Sequence, residues 1–186
     1  MSGRAPAPRW RARIRLPHLV RRFLGSLPPG GPGAGEESWA LAHLSDDEAR
    51  LWARMSGPDR RHAVAVARRL AAALGEGRPP RRAVVAAALL HDVGKVESGL
   101  GTMGRVVATL AVLGLGRERV EGWAGRRGPQ GRIGRYARHP ALGGVLLAGA
   151  GSDQLTVTWA AEHHLGPERW TIEAEVAAAL KAADGD

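Results

Sequence analysis

From Trp39 to the end of the sequence, apolar residues recur at helical spacing, and no run alternates apolar and polar residues as a half-buried strand does. Ser45 and Glu48 form a capping box that opens the first clear helix. Glycine, proline and capping residues divide the chain into predicted helices at about 45–55, 58–74, 81–93, 101–113, 117–125, 130–138, 141–149, 153–164 and 173–183. The sequence therefore predicts an all-α domain.

The most apolar of these helices should be the central one, because residues 83–90 are apolar on nearly every side. It ends in His91 and Asp92, and a buried charge without a partner is costly. Neighbouring residues on a helix point about 100° apart, but a helix end unwound at Gly94 would let the two side chains converge. A metal ion could compensate both groups, although a single His-Asp pair is also compatible with an ordinary hydrogen bond.

Other polar groups occupy similar positions. His139 precedes Pro140, which should push it out of the helical region and place it at a helix junction. His163 and His164 close one apolar helix, and Asp184 follows another. The chain has no cysteine, so any metal must be held by nitrogen and oxygen ligands. Together these positions predict helix ends that converge on a metal site.

The net charge of +9 is concentrated at the N-terminus, where residues 1–35 hold seven arginines and no acidic residue. Only +2 is left for the rest of the chain, so the basicity belongs to a tail rather than to the folded body. Because this stretch is also rich in proline and glycine, we expect residues 1–36 to form a flexible arm and residues 37–186 to form the helical domain.

Within the arm, a short apolar face follows helical spacing, with Arg21 and Arg22 off it; it consists of Leu19, Val20, Phe23, Leu24 and Leu27. This segment could touch an anionic surface such as a membrane or a nucleic acid, dock on its own domain, or simply fluctuate. No uncharged apolar run reaches the roughly 18 to 20 residues of a membrane span. We therefore expect no transmembrane segment, and a cytoplasmic location.

The order of the polar segments resembles the HD superfamily of metal-dependent phosphohydrolases, most closely its HD-GYP branch of bacterial phosphodiesterases. The matching segments cover about residues 58–186 and read His62, His91-Asp92-Val93-Gly94-Lys95, His139-Pro140-Ala141-Leu142-Gly143, His163-His164 and Ala183-Asp184. The resemblance implies an HD-domain helical bundle in which helix ends converge on the metal site.

The resemblance also implies roles for these residues. A first metal would be bound by His62, His91, Asp92 and Asp184, and Asp92 would bridge to a second metal held by His139, His163 and His164. Asp92 and Lys95 are the implied catalytic residues, with Lys95 on the substrate phosphate. Arg138 is a further candidate for phosphate binding, although a solvated charge at a helix end is the favoured explanation for it. The cofactors would be two divalent ions, such as Fe, Mn or Mg, whose identity the sequence leaves open.

Our hypothesis is hydrolysis of a nucleotide or another small phosphoester by water activated between two metals about 3.5 to 4 Å apart. Two departures from the branch bear on this hypothesis. Residues 165–170 stand where a Gly-Tyr-Pro motif is usual. Without that motif, the resemblance does not predict cyclic di-GMP, the usual substrate of the branch, as the substrate of this chain. Pro58 stands where some relatives carry another acidic ligand, so we expect no third metal.

Two alternatives remain from the sequence. One is a catalytically inactive HD-domain scaffold or nucleotide sensor in signalling, which would bind a ligand or partner without turnover. The other is a regulator anchored through the arginine-rich arm, whose binding to an anionic surface would depend strongly on salt.

Overall fold

The computed structural model describes residues 30–74 and 82–185 of the chain. Over these ranges it contains ten α-helices and two short 3-10 helices, with no strand, which confirms the predicted all-α class. The 3-10 helices span Val93–Ser98 and Pro167–Arg169. The α-helices are α1 Ala34–Leu41, α2 Asp46–Arg54, α3 Gly57–Leu74, α4 Arg82–Leu90, α5 Thr102–Leu115, α6 Arg117–Glu121, α7 Gly128–Ala137, α8 His139–Gly149, α9 Gln154–Glu162 and α10 Ala174–Asp184.

Helix α1 begins at Ala34, inside the stretch predicted as an arm, so the helical body starts slightly before residue 37. Its side chains explain the difference, because Trp39 lies under the Arg68 guanidinium, 3.8 Å from the ring centre, and Glu37 accepts a hydrogen bond from Trp52 Nε1 at 2.8 Å. Residues 1–29, with the apolar segment from Leu19 to Leu27, lie outside the described residues.

The capping box predicted at the start of α2 is present. Ser45 Oγ accepts from the Glu48 N–H at 3.2 Å, and the Ser45 N–H donates to Glu48 Oε2 at 2.8 Å. These two bonds satisfy backbone donors that a helix start would otherwise leave open.

Helix α4 is the central helix, as its sequence predicts. Every residue from Val84 to Leu90 is buried, and α4 packs against α3, α9 and α10. It ends at Leu90, three residues before the predicted end at Val93, and His91 and Asp92 form a turn that leads into the 3-10 helix. The Lys95 N–H bonds to the Asp92 carbonyl at 3.0 Å in that helix, so the chain tightens immediately after the core helix.

The 3-10 helix Val93–Ser98 packs backbone against backbone on the start of α8. A Cβ atom at Gly94 would lie 2.0 Å from the His139 carbonyl oxygen and 2.5 Å from the Gly143 nitrogen, so only glycine fits there. This contact joins the His91-Asp92 turn to His139.

Two other expectations need correction. His139 lies at a helix junction as predicted, but it is the first residue of α8 rather than a residue outside the helix. Pro140 is tolerated there because the first turn of a helix does not need its N–H. The helix predicted at 117–125 is also shorter, since α6 ends at Glu121 and gives way to turns.

Among the described residues, no single helix is both long and apolar enough to cross a membrane. The continuous stretch Arg82–Ser98 and helix Thr102–Leu115 meet that test only when taken together, and they are bent by 93° relative to each other.

Candidate metal centre

The structure brings together all seven residues predicted as metal ligands. They come from five segments of the chain, four of them at helix ends: His91 and Asp92 follow α4, His139 begins α8, His163 and His164 follow α9, Asp184 ends α10, and His62 lies in the second turn of α3.

Asp184 and His91 lie at the centre of the first group of donors. Asp184 Oδ1 is 3.0 Å from His62 Nε2 and 3.7 Å from His91 Nε2, and His91 Nε2 is 3.4 Å from Asp92 Oδ2. Ligand atoms of His62, His91 and Asp92 all lie within 4.8 Å of one another. This group could therefore hold a metal ion.

The second group consists of His139, His163 and His164, whose ligand atoms also lie within 4.8 Å of one another. His139 Nε2 is 3.2 Å and His163 Nε2 is 3.7 Å from Asp92 Oδ1. Asp92 thus lies between the two groups, with Oδ2 facing His91 and Oδ1 facing the second group. A carboxylate in this position can contribute one oxygen to each group.

Three of the imidazoles share the same anchoring. The Nδ1 atoms of His91, His139 and His163 lie 2.9, 2.7 and 2.9 Å from the carbonyl oxygens three residues earlier, those of Ala88, Tyr136 and Ala160. A carbonyl can only accept, so each Nδ1 carries the hydrogen. In the neutral ring Nε2 then bears the lone pair, which is the arrangement of a metal-binding histidine.

The Nε2 atoms of these three histidines are buried and make no hydrogen bond of acceptable geometry within the described structure. Buried lone pairs that face carboxylate oxygens are unfavourable unless a positive charge lies between them. Nitrogen and oxygen ligands bind zinc, for example, at about 2.0 to 2.2 Å, which puts ligands of one ion roughly 3 to 3.5 Å apart. The donor set and its spacing therefore fit a bound cation.

The carboxylates set the charge on the first group. Burial disfavours ionisation of Asp92, but the Lys95 ammonium and the His91 imidazole outweigh burial and hold the pKa of Asp92 well below its usual range. Burial likewise disfavours protonated His91, yet Asp92 and Asp184 raise the pKa of that imidazole above its ordinary value. The electrostatic field at this point favours a positive charge.

The second group is arranged to stay neutral. Burial lowers the pKa of His139 and lowers the pKa of His163 more strongly, although Asp92 acts in the opposite direction on both. Partial burial and the neighbouring His163 also lower the pKa of His164 well below its usual value. Neutral imidazole is the form that binds metals, so the lowered pKa values favour the form that a metal site in this group would require.

The two basic residues predicted to contact phosphate differ in their surroundings. Lys95 is buried, and its ammonium contacts Asp92 Oδ2 at the centre. Arg138 is exposed directly before His139, and no contact among the described residues gives it a role, so phosphate binding by Arg138 stays a prediction. A residue that the sequence did not single out is Arg117, whose charge contributes to the lowered pKa of His164.

Arg117 could not have been selected from the sequence, because it is one of 25 arginines and lies 22 positions before His139. The structure places its guanidinium on the Ala137 carbonyl at 2.8 Å, where α7 ends beside the start of α8. It brings a positive charge near the second group of histidines.

Two acidic residues close in sequence to the motifs, Glu162 and Glu97, make hydrogen bonds to residues outside the candidate metal centre. Glu162 accepts from the Thr171 N–H at 2.8 Å and from its hydroxyl at 2.7 Å, and Glu97 accepts from Arg54 at 2.7 Å. His43, which lies in none of the matching segments, bonds through Nδ1 to the Trp39 carbonyl at 2.8 Å and belongs to neither group of metal-binding candidates.

Comparison of the chain with protein-family models finds no match, and comparisons with curated proteins and with solved structures find none that is significant. The function of the centre must therefore be inferred from its own residues.

Proposed function

We propose that the protein is a metal-dependent phosphohydrolase of the HD type, which hydrolyses a nucleotide or another small phosphoester. The observation that carries the proposal is the position of Asp92, whose two carboxylate oxygens face two separate groups of imidazoles at 3.2 to 3.7 Å. The ordered set of motifs that resembles the HD superfamily is consistent with that arrangement.

In this proposal His62, His91, Asp92 and Asp184 hold one divalent ion, and Asp92, His139, His163 and His164 hold a second. Ions bound there would supply Lewis-acid activation of water and of the phosphoryl group. The mixed nitrogen and oxygen donors are compatible with Fe or Mn and, with fewer imidazoles engaged, with Mg.

The protein's own contribution is to fix its donors before the substrate arrives. The carbonyl anchors hold three imidazoles in the tautomer that directs Nε2 to the centre, and Lys181 Nζ donates to the His163 carbonyl at 2.8 Å. The Arg69 guanidinium donates to the Ala183 carbonyl at 2.7 Å and so holds the end of α10 beside Asp184. Donors that are held in place need no reorganisation during the reaction.

Lys95 is the proposed positive charge for the substrate. Its ammonium contacts Asp92, where it can also stabilise the negative charge that builds up on phosphoryl oxygens. Arg117, whose charge acts on His164, and the exposed Arg138, which directly precedes His139, would attract a phosphorylated ligand. A small phosphorylated substrate is the partner that this distribution of charge favours, and we propose that the protein meets it in the cytoplasm.

The proposal is tested by loading the purified chain with Mn, Fe or Mg and measuring hydrolysis of a generic phosphodiester and of nucleotides. We expect turnover that requires metal. Asp92→Asn should reduce this turnover by at least about 100-fold, because loss of a residue that only supports a metal ligand costs about 10-fold to 100-fold and Asp92 is itself a proposed ligand. His43→Gln, which changes a histidine outside the centre, should leave turnover unchanged.

A metal-loaded protein that is inert towards every phosphoester would contradict the proposed activity. The alternative of an inactive scaffold or nucleotide sensor predicts that nucleotide binding survives His139→Ala without turnover in any variant.

A further inference from the structure

The outer face of α5 is apolar along its whole length and open to solvent. Met103 is 67% exposed, Val107 52% and Leu110 61%, and these residues follow one another at helical spacing. Leu113 and Leu115 are also exposed further along the helix. Arg105 is the only charged residue of α5, and it points the other way, towards Asp59.

A solvated helix normally carries polar residues on its outer face, and a contiguous exposed apolar patch marks an interaction site. Helix α5 buries only Ala108 of its fourteen residues. The outer face of α5, defined by Met103, Val107, Leu110 and Leu113, therefore lacks the cover that its composition requires.

The described part of the chain begins beside the start of α3, and an ion pair links that end of α3 to α5. The Gly30 carbonyl accepts from Arg61 at 2.5 Å, and a Cβ atom at Gly57 would lie 2.6 Å from the Gly30 carbonyl carbon, so the two backbones touch. Two residues after Gly57, Asp59 pairs with Arg105 at 2.7 Å near the start of α5. Residues 1–29 thus join the domain beside the start of α3, whose Asp59 is paired with Arg105 in the first turns of α5.

Those residues contain a matching apolar stripe. Leu19, Val20, Phe23, Leu24 and Leu27 share one helical face, with Arg21 and Arg22 off it. Only three peptide steps separate Leu27 from Gly30, a reach of about 10 Å. A helix of nine residues is about 13 Å long, and the stretch from Met103 to Leu113 is about 15 Å long.

We propose that residues 19–27 dock on the outer face of α5 of the same chain. Because Gly30 is linked through Asp59 to the N-terminal part of α5, the proposed orientation is antiparallel to α5, with Leu27 towards Met103 and Leu19 towards Leu113. Docking buries both apolar stripes and leaves Arg21 and Arg22 in solvent. The contact is independent of the metal centre, and either proposal can fail without the other.

The test uses oxidation of methionine by dilute peroxide in the full chain, followed by mass spectrometry. The chain has three methionines: Met103 on the proposed surface, the buried Met55, which serves as an internal control for folding, and the terminal Met1. We expect Met103 to be protected in the wild type and to be oxidised several-fold faster in Phe23→Ser. Arg22→Ser changes the polar side of the segment and should leave Met103 protected.

The surface is tested from the other side by Leu110→Glu, which should also release the segment and speed oxidation of Met103. Val145→Glu is the matched control, because Val145 is 70% exposed on α8, outside the proposed surface. The wild-type protection should not depend on protein concentration.

Three results would overturn the proposal. Oxidation of wild-type Met103 as fast as in Phe23→Ser would show an open face. Protection that increases with protein concentration would identify a second copy as the occupant, and protection that requires added phospholipid vesicles would identify a membrane.

Discussion

His91, His139 and His163 have Nδ1 tied to a backbone carbonyl at 2.7 to 2.9 Å, which leaves Nε2 directed at Asp92 or Asp184. His43 has the same kind of backbone anchor, to Trp39, yet it lies outside the centre. The anchor alone is thus an ordinary helical feature. The special property of the three is that their free nitrogens meet at the same carboxylates.

This difference predicts the outcome of a matched pair of variants. His163→Gln should weaken binding of divalent metal by at least about 100-fold, because it removes a direct donor, whereas loss of an outer partner costs 10-fold to 100-fold. His43→Gln should bind metal like the wild type. Titration calorimetry with Mn measures both affinities, and equal affinity in the two variants would exclude His163 as a ligand.

The lowered pKa values of His139, His163 and His164 predict how the metal-free protein responds to acid. Their pKa in the folded state lies below the ordinary 6.5, so the unfolded chain binds more protons as pH falls below 6.5. The free energy of unfolding should therefore decrease from about pH 6.5 downwards, by up to about 1.4 kcal/mol per pH unit for each of the buried His139 and His163, and by less for His164, which is more exposed to solvent. Urea unfolding with a chelator present, at pH 7 and pH 5, measures the decrease.

His91 does not cancel this effect. Its pKa is raised, so its stabilising contribution is complete below 6.5 and is lost as pH rises through the folded-state value. His163→Gln should lose less stability between pH 7 and pH 5 than the wild type. An equal loss in both proteins would contradict the assignment of a buried neutral imidazole.

At the scale of elements, the centre depends on the contact between the 3-10 helix Val93–Ser98 and α8. A methyl group at Gly94 would meet the His139 carbonyl oxygen at 2.0 Å, and the obstacle is backbone, which cannot rotate away. The two elements would have to separate, and His139 would move away from Asp92.

Gly94→Ala should therefore lower the free energy of unfolding by about 1 to 3 kcal/mol, the usual cost of overpacking, and should abolish binding of metal by the second group. Gly149→Ala is the control, because it lies at the end of α8 with nothing within 4 Å of its Cβ position. Thermal unfolding and metal titration of both variants provide the comparison. A Gly94→Ala protein as stable and as metal-competent as the control would contradict the close packing.

The helices themselves follow closely from the sequence, because their starts and ends are local features. Ser45 and Glu48 mark the start of α2, and residues 83–90 mark α4 as the buried helix. The end of α4 was predicted three residues too far along. That end is set by the docking of Gly94 on α8, a contact between segments more than 40 residues apart that no local pattern contains.

The membership of the centre was also accessible from the sequence, because the histidines recur at helix ends in a motif order that resembles a known superfamily. The resemblance also implied that Asp92 lies between the two groups, whereas the assignment of Oδ2 to His91 and of Oδ1 to His139 and His163 came from the structure. Arg117 and the hydrogen bonds of Glu162 to Thr171 were not accessible, since they depend on how helices distant in sequence approach each other.

At the scale of the whole molecule, the residues of the centre lie on or directly beside α3, α4, α8, α9 and α10. These helices also supply most of the buried core residues. Metal that binds only the folded chain should stabilise all of it by about 2.7 kcal/mol when the free metal is 100 times its Kd. For a chain of this size that corresponds to a rise in Tm of about 5 to 10 °C.

Differential scanning calorimetry with excess Mn or with a chelator measures this shift. Asp92→Asn should show little of it, because it weakens both groups of donors. A Tm that does not respond to metal in the wild type would mean that the groups do not bind metal in the folded state.

The most direct test of the central claim is anomalous X-ray diffraction from crystals of the chain loaded with Mn or Fe. We predict two anomalous peaks, one beside His62, His91 and Asp184 and the other beside His139, His163 and His164, with Asp92 in contact with both. Metal-loaded crystals with no peak at these residues, or with peaks only elsewhere on the molecule, would contradict the account.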